Sequence, residues 1–198
     1  MSLRRSGALV VIPATLGFLL IVLPLLGLLG GTPWHRVPTL IADPVTWPAL
    51  RLSLITTLIT VALAVLLGTP LAWLLSRADG VLAGWLRALI TVPVVLPPVV
   101  GGVALLLVHG RRGWVGGPLF EAFGWRVAFT PYAVVLAQLF VSLPFYVLAV
   151  EGALRGLDAR IMDVAATLGA SPTRVFLRVA LPMVLPGIAS GGALAWAR

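Results

Sequence analysis

Five apolar stretches separated by short charged segments constrain this sequence more than any other feature. They run from about residue 7 to 29, 52 to 76, 88 to 109, 127 to 150 and 179 to 197, and none contains Asp, Glu or Arg. A bilayer core about 30 Å thick needs about 20 apolar helical residues to cross it. The sequence therefore predicts five transmembrane helices, of which the fifth is the shortest and carries Pro182 and Pro186.

Composition supports the same class of protein. Apolar residues make up 60% of the chain and charged residues 10%, with mean hydropathy +1.10, whereas about 25% of residues are charged in soluble domains. There is no cysteine, which excludes disulfides and thiolate metal sites. The net charge of +8 comes from fourteen arginines, with no lysine, against six acidic residues, and in a membrane protein it indicates loop topology rather than a nucleic-acid partner. We expect an all-α, polytopic transmembrane helical bundle in contact with membrane lipid.

Arginine placement predicts the orientation of the spans. With the N-terminus in the cytoplasm, eight arginines lie inside and five outside, which agrees with the positive-inside rule. The inner set is Arg4, Arg5, Arg77, Arg87, Arg155, Arg160, Arg174 and Arg178, and the outer set is Arg36, Arg51, Arg111, Arg112 and Arg126. The first run is longer than a signal-peptide core, so we expect an uncleaved span. Residues 31–50, rich in proline and tryptophan, are expected to form an outer interfacial loop.

The inner segment between the fourth and fifth runs has the signals of a helical hairpin. Asp158 can cap a first helix, Gly169 can end it, and Ser171 followed by Pro172 is typical of the start of a second helix. On the first helix, one predicted face packs and the other is offered to a partner. The packing face is Ile161, Ala165 and Leu168, and the offered face is Arg160, Asp163 and Thr167. From spacing alone, the hairpin either binds a partner or lies on lipid headgroups.

The same segment resembles a known family. Asp163-Val-Ala-Ala-Thr-Leu-Gly169, nine further residues and Val179-Ala-Leu181-Pro182 are similar to the loop of permease subunits of binding-protein-dependent ABC importers. Asp163 stands where that loop usually has Glu, and Val164 where it usually has Ala. The resemblance implies a coupling helix that docks on a separate ATPase. The residues it assigns to this contact are Asp163, Val164, Ala165, Thr167, Leu168, Gly169, Ala170, Ser171, Pro172 and Arg174.

Further segments resemble the permeases of molybdate transport, and sulfate and thiosulfate permeases are similar in the same places. These segments are 93–102, 110–113, 142–144 and 185–191. The resemblance implies an ABC-importer permease domain over residues 51–198, preceded by an extra transmembrane helix and outer loop over residues 1–50. Members of the family continue into a final span, so five spans are expected here, with the permease domain incomplete at its C-terminus.

The resemblance also implies a function. The chain is expected to move molybdate or tungstate across the bacterial cytoplasmic membrane, without enzymatic activity or a cofactor of its own. ATP is then hydrolysed by a partner ATPase, a substrate-binding protein docks outside, and a second permease copy completes the pore. Three alternatives remain open: a permease for sulfate, thiosulfate or another small solute, a structural or channel-like membrane protein, and a truncated chain without function.

Three runs carry candidate residues for a translocation path. Prolines in the third run free backbone carbonyls, which often line a cavity where a helix is broken. Hydroxyls in the second run either donate hydrogen bonds to a passing anion or bond helix carbonyls and pack. The candidate path residues are Ser53, Thr57, Thr60, Pro97, Pro98 and Ser142, with Ser53, Thr56 and Thr60 on one helical face. Because no run contains a charge, an oxyanion is expected to meet only dipoles inside the membrane.

Three arginines cluster in the segment that follows the third run. Arg111, Arg112 and Arg126 are predicted at the outer mouth, where they either attract an oxyanion or acidic groups of a docked protein, or anchor the chain in lipid. His109 beside them has no second ligand at metal-binding spacing, so no metal site is expected.

Overall fold

The computed structural model describes residues 8–198, so the predicted inner arginines Arg4 and Arg5 lie outside the described residues. Within this range the chain consists of helices and their connections and contains no strand, as expected for an all-α protein. It divides into two compact units, one ending at Ala49 and one beginning at Leu50.

The first unit holds one long apolar helix and a short helical segment. Helix α1 spans Ala8–Gly31 and is followed by a 3-10 turn, Trp34–Arg36, and by α2, Val37–Ile41. The Trp34 indole N–H donates to the Leu29 carbonyl at 2.8 Å, which fixes the turn after α1. The predicted outer loop is thus partly helical, because its prolines stand at positions where a helix tolerates them.

The second unit contains the remaining apolar runs. Two of them form long helices, α3 (Thr46–Arg77, which begins just before this unit) and α7 (Pro131–Arg155). The other helices are shorter: α4 (Gly80–Val95), α5 (Pro98–His109), α6 (Gly116–Phe123), α8 (Ala159–Thr167), α9 (Pro172–Val175), α10 (Leu181–Met183) and α11 (Leu185–Trp196). A π-helical turn, Phe176–Ala180, joins α9 to α10.

The third and fifth predicted spans are each broken into a bent pair of helices. Helices α4 and α5 meet at 111°, and the helix over Pro172–Met183 meets α11 at 73°. Three described helices are long and apolar enough to cross a membrane singly, and the number reaches five when each bent pair counts as one span. At the first break Leu96 is extended because it precedes Pro97, and neither Pro97 nor Pro98 can donate a helical hydrogen bond.

The core of the second unit forms where α7 packs against α3 and α11. Tyr146 on α7 is fully buried between two glycines, and its hydroxyl lies 2.7 Å from the Thr69 hydroxyl on α3. A Cβ atom on Gly68 would lie 2.5 Å from the Tyr146 ring, and one on Gly191 would lie 3.2 Å from it. Small residues therefore allow three helices to close around one aromatic ring.

The second unit has two distinct ends. The C-terminal ends of α3 and α7 lie beside the helical hairpin of residues 156–175, and we call this the hairpin end. The C-terminus of α5 and the N-terminus of α7 lie at the other side, which we call the opposite end.

Candidate functional site

The hairpin, residues 156–175, has the two helix starts that its sequence predicts. The Asp158 carboxylate accepts a hydrogen bond from the Arg160 backbone N–H at 3.0 Å, at the start of α8. The Ser171 hydroxyl accepts one from the Arg174 backbone N–H at 3.4 Å, at the start of α9. Each cap satisfies a backbone donor that the first turn of a helix leaves unpaired.

The turn between the two hairpin helices depends on Gly169. Its φ of +82° is left-handed, a conformation that a side chain disfavours, and no atom lies within 4 Å of where its Cβ would be. The Ala170 N–H donates back to the Ala165 carbonyl at 3.1 Å, which closes the end of α8. The predicted sequence of helix, tight turn and helix is therefore confirmed.

The predicted packing face of α8 is wrong. Ile161 is 41% exposed and Leu168 is 83% exposed, so this face points away from the bundle. Met162 packs against the core instead. Together with Val164, which is 57% exposed, Ile161 and Leu168 form an apolar stripe on the outside of the hairpin.

The structure brings the predicted coupling residues onto one continuous segment of surface. The exposed ones are Asp163, Val164, Thr167, Leu168, Gly169, Ser171, Pro172 and Arg174, and the half-buried ones are Ala165 and Ala170. Arg160, at the start of α8, is also exposed. The hairpin thus presents an apolar stripe flanked by charges of both signs, as a surface that binds a partner protein does.

Side-chain contacts connect the hairpin to the end of α3. The Arg77 guanidinium stacks on the Trp73 ring with 4.4 Å between the guanidinium carbon and the ring centroid, and its Nη2 donates to Met162 Sδ at 2.8 Å. Trp73 also packs on Phe176, with ring centroids 5.1 Å apart. Displacement of α8, or of the π-helical turn that follows α9, therefore acts on α3 through directly packed atoms.

A buried ionic cluster beneath the hairpin was not predicted from the sequence. The Glu151 carboxylate, 4% exposed, accepts hydrogen bonds from Arg87 Nε at 2.7 Å and Arg155 Nε at 3.0 Å. Both arginines also donate to the Leu75 carbonyl at the end of α3, at 2.8 and 3.3 Å. The i, i+4 spacing of Glu151 and Arg155 is a sequence signal for an ion pair on one helix. Arg87 lies 64 residues from Glu151, so no local pattern indicates that the two residues pair.

The break between α4 and α5 lines a cavity of about 310 Å³. Pro97 and Pro98, predicted for the translocation path, lie on its wall together with Gly101 and with Phe145 of α7. Arg198 lies there as well. The expectation that only dipoles face the interior of the spans is therefore wrong, because a residue just beyond the fifth apolar run reaches back to the broken helix.

The other predicted path residues do not meet at this cavity. Thr60 is buried, and its hydroxyl lies 2.8 Å from the Thr56 carbonyl and 2.9 Å from Gln138 Oε1 on α7, so it bonds a neighbouring helix. Ser53 is exposed and Thr57 half-buried. Ser142 is 1% exposed, and among the described residues its hydroxyl has no hydrogen-bond partner. Their assignment to the path stays a prediction.

A larger cavity of about 700 Å³ lies at the opposite end, between α5 and the start of α7. Its walls are almost entirely apolar, and the polar side chains that reach it are His109, Thr130 and Gln138. Such a lining does not suit a dianion, because removing a charged group from water is costly without compensating polar partners.

Two of the three predicted mouth arginines share one aromatic ring. The guanidinium carbon of Arg111 lies 4.4 Å from the centroid of Phe120 on α6, and that of Arg126 lies 5.6 Å from it. Arg112 is exposed beside them. No group of three potential metal-ligating side chains occurs over residues 8–198, and the absence of a metal site stays a prediction.

Comparison with known proteins identifies the family. A family model described as the binding-protein-dependent transport system inner membrane component matches residues 64–198, more than half of the chain. The chain belongs to this family. The predictions of a multi-pass inner-membrane protein and of a transport subunit rather than an enzyme are thereby confirmed.

Individual relatives in this family carry transport names. The molybdenum transport system permease protein ModB of Mycobacterium tuberculosis is 49% identical over 189 residues, which cover 96% of this chain and 71% of the relative. The probable sulfate transport system permease protein cysT of Zygnema circumcarinatum is 31% identical, over 92% of this chain and 64% of the relative.

The fold of this family member also has a solved counterpart. A crystal structure of a bacterial alginate ABC transporter, in complex with an alginate pentasaccharide-bound periplasmic protein, matches with a TM-score of 0.67. The match covers 91% of this chain and 67% of the other chain at 18% identity, so it shows a shared fold alone.

Proposed function

We propose that this chain is the permease subunit of an ABC importer for molybdate or tungstate, driven through the hairpin by a separate ATPase. The family assignment and the 49% identity to a molybdenum transport permease support the cargo. The observation that carries the mechanism is the hairpin itself, capped at both helix starts, packed on α3 by one face and exposed on the other.

The exposed stripe of Ile161, Val164 and Leu168 fits an apolar groove on the ATPase. An exposed apolar patch bordered by charges is typical of a protein interface, and Asp163 supplies a carboxylate for an arginine across it. Closure of the ATPase pushes α8, and the packed contacts of Met162 with Arg77 transmit that push to the end of α3. Reorientation of the helices then gives alternating access.

The opposite end faces the substrate-binding protein in this proposal. Arg111, Arg112 and Arg126 form a positive rim there, which attracts an oxyanion or acidic groups of the docked protein. A second copy of the permease pairs with the first, and two ATPases bind below. ATP is held by those partner chains, so the permease carries no cofactor.

A sulfate or thiosulfate importer is the second candidate, and the 31% identical sulfate permease relative favours it. Both candidates are ABC importers with the same subunits, and they differ in the anion that is transported. Uptake of labelled molybdate in the presence of excess sulfate separates them: uptake that persists supports molybdate transport, and uptake that sulfate abolishes supports the second candidate.

The coupling role is tested by capture of the ATPase on the purified permease. Leu168→Glu places a charge on the exposed stripe and is expected to abolish capture while leaving the amount of folded permease unchanged. Phe129→Glu is the matched control, because Phe129 is 96% exposed at the opposite end and its replacement should not affect capture. A hairpin that only lies on lipid predicts no capture by the unmodified chain, and this result would refute the proposal.

A further inference from the structure

Arg198 places a positive charge at the mid-height of a spanning helix. Its guanidinium carbon lies 4.0 Å from the ring centroid of Phe145, which is fourteen residues after the start of α7 and ten before its end. At 1.5 Å per residue, these separations are about 21 and 15 Å. The charge therefore lies far from both ends of the helix, at a depth where ionisable side chains usually have a function.

Among the side chains of residues 8–198, the guanidinium has an aromatic neighbour but no acidic one. The two ion pairs found within residues 8–198 both belong to Glu151, at the hairpin end. No described hydrogen bond involves the Arg198 side chain, whose interaction there is with the Phe145 ring. A cation–π contact contributes about 0.5–2 kcal/mol, which offsets only part of the cost of holding a cation inside a membrane.

The cavity beside Arg198 has room for an anion. Its volume of about 310 Å³ is roughly ten times the 30 Å³ that one water molecule occupies in the liquid. The helix break forms one wall, where Gly101 and Gly102 have no side chains to fill the space. Phe140 and Phe145 form the other wall. Among the described side chains of this lining, Arg198 is the charged one.

We propose that the Arg198 guanidinium binds the transported tetrahedral oxyanion at the break between α4 and α5. A guanidinium presents five N–H donors in a planar fork, which pairs with two oxygens of an oxyanion at once. The cargo class rests on the proposed function, whereas the anion site rests on the geometry of Arg198. The apolar 700 Å³ cavity, by contrast, offers no cation for this cargo.

The experiment uses the full chain with its ATPase and binding protein in proteoliposomes, and it measures uptake of labelled molybdate. Arg198→Gln is expected to lower uptake at low substrate concentration about ten- to hundredfold, the effect of losing a charge-assisted, two-point contact. Arg198→Lys keeps the charge without the fork and should fall in between. Arg51→Gln, an exposed arginine outside both cavities, is the matched control and should remain within about twofold.

The amount of assembled permease–ATPase complex distinguishes a binding defect from a folding defect. We expect Arg198→Gln to assemble with the ATPase to the same extent as the unmodified chain while its apparent KM for uptake rises. Phe145→Leu is a second variant, since it removes the ring and keeps the cation, and we expect it to retain most of the uptake. Equal uptake by Arg198→Gln and the unmodified transporter would overturn the inference.

Direct binding separates this inference from the proposed function. Titration calorimetry with molybdate, tungstate and sulfate is carried out on the permease–ATPase complex in lipid nanodiscs. If the unmodified transporter takes up no molybdate yet binds sulfate in an Arg198-dependent manner, the cargo assignment fails and the oxyanion site stands. If molybdate is taken up and oxyanion binding is the same in Arg198→Gln, the cargo assignment stands and the site fails.

Discussion

Charged residues on the hairpin and in the cluster beneath it have opposite surroundings. Asp158 and Asp163 are exposed, and Asp158 bonds a backbone N–H two residues away. Glu151 is 4% exposed and joins α7 to Arg87, 64 residues distant. The hairpin is shaped by neighbours in sequence and leaves its surface for a partner, whereas the cluster is shaped by distant segments and fixes the helices to which the hairpin is attached.

Removing the buried carboxylate is the strongest test of this contrast. We expect Glu151→Gln to lower the free energy of unfolding by about 3 kcal/mol, because two arginines lose their shared ionic partner. This value is at the low end of the range for buried ion pairs because both arginines are partly exposed. The thermal midpoint in detergent measures it. Asp163→Asn is the control and should change stability by less than about 0.5 kcal/mol. Equal losses of stability in Glu151→Gln and Asp163→Asn would contradict the difference between the buried cluster and the hairpin surface.

The packing around Tyr146 provides a second test of the interior. We expect Gly68→Ala to destabilise the chain by about 1–3 kcal/mol, because the new methyl group would lie 2.5 Å from the ring in a closely packed interface. Gly84→Ala on α4 meets open space and should be neutral or slightly stabilising. Thermal midpoints compare the two variants. A harmless Gly68→Ala would show that α3 and α7 are more loosely packed than described.

On the hairpin side, Gly169 is expected to affect coupling more than stability. Gly169→Val forces a β-branched residue to φ +82°, which costs about 1–2 kcal/mol and reshapes the turn without any steric clash of the Cβ. Transport per ATP hydrolysed should fall while the chain stays in the membrane. Gly152→Ala, at an open helical position on α7, is the control. An unchanged ratio of uptake to hydrolysis in Gly169→Val would refute coupling through this turn.

The smallest expected effect concerns the N-cap of α8. Asp158→Ala removes the acceptor of the Arg160 N–H and should weaken the start of the helix by about 1 kcal/mol. Faster amide hydrogen exchange in the first turn of α8 would report it. Asp158→Asn keeps a capping oxygen and should exchange like the unmodified chain. If both variants exchange alike, the cap does not hold the hairpin in place.

The hairpin could be predicted because its signals are local. A capping carboxylate, a left-handed glycine and a serine–proline pair each act within a few residues, and all three appear as expected. The side of α8 that packs on the core could not be predicted in the same way. Ile161 and Met162 are adjacent and both apolar. Which of the two packs inward depends on the core and on Arg77, which lies 85 residues before Met162 in the chain.

The candidate site likewise combines features that local sequence predicts with features that depend on distant contacts. Pro97 and Pro98 indicate a broken helix from the sequence alone. The bend of 111° and the cavity beside it depend on how α5 packs against α7. Arg198 lies just outside the fifth apolar run, and no local signal indicates that its charge lies beside Phe145. Similarly, the sequence pattern did not indicate that the Thr60 hydroxyl lies 2.9 Å from Gln138 Oε1 on α7, and its role in the path stays a prediction.

Sequence alone determined that this chain is a helical membrane protein with a capped hairpin, because hydrophobic length and helix caps act over one or two turns. Tertiary structure alone decided which apolar runs bend, which side of α8 packs on the core, and which residues lie beside Glu151 and Arg198. The physical reason is that ion pairs, aromatic contacts and close packing join atoms that are near in space but distant in the chain.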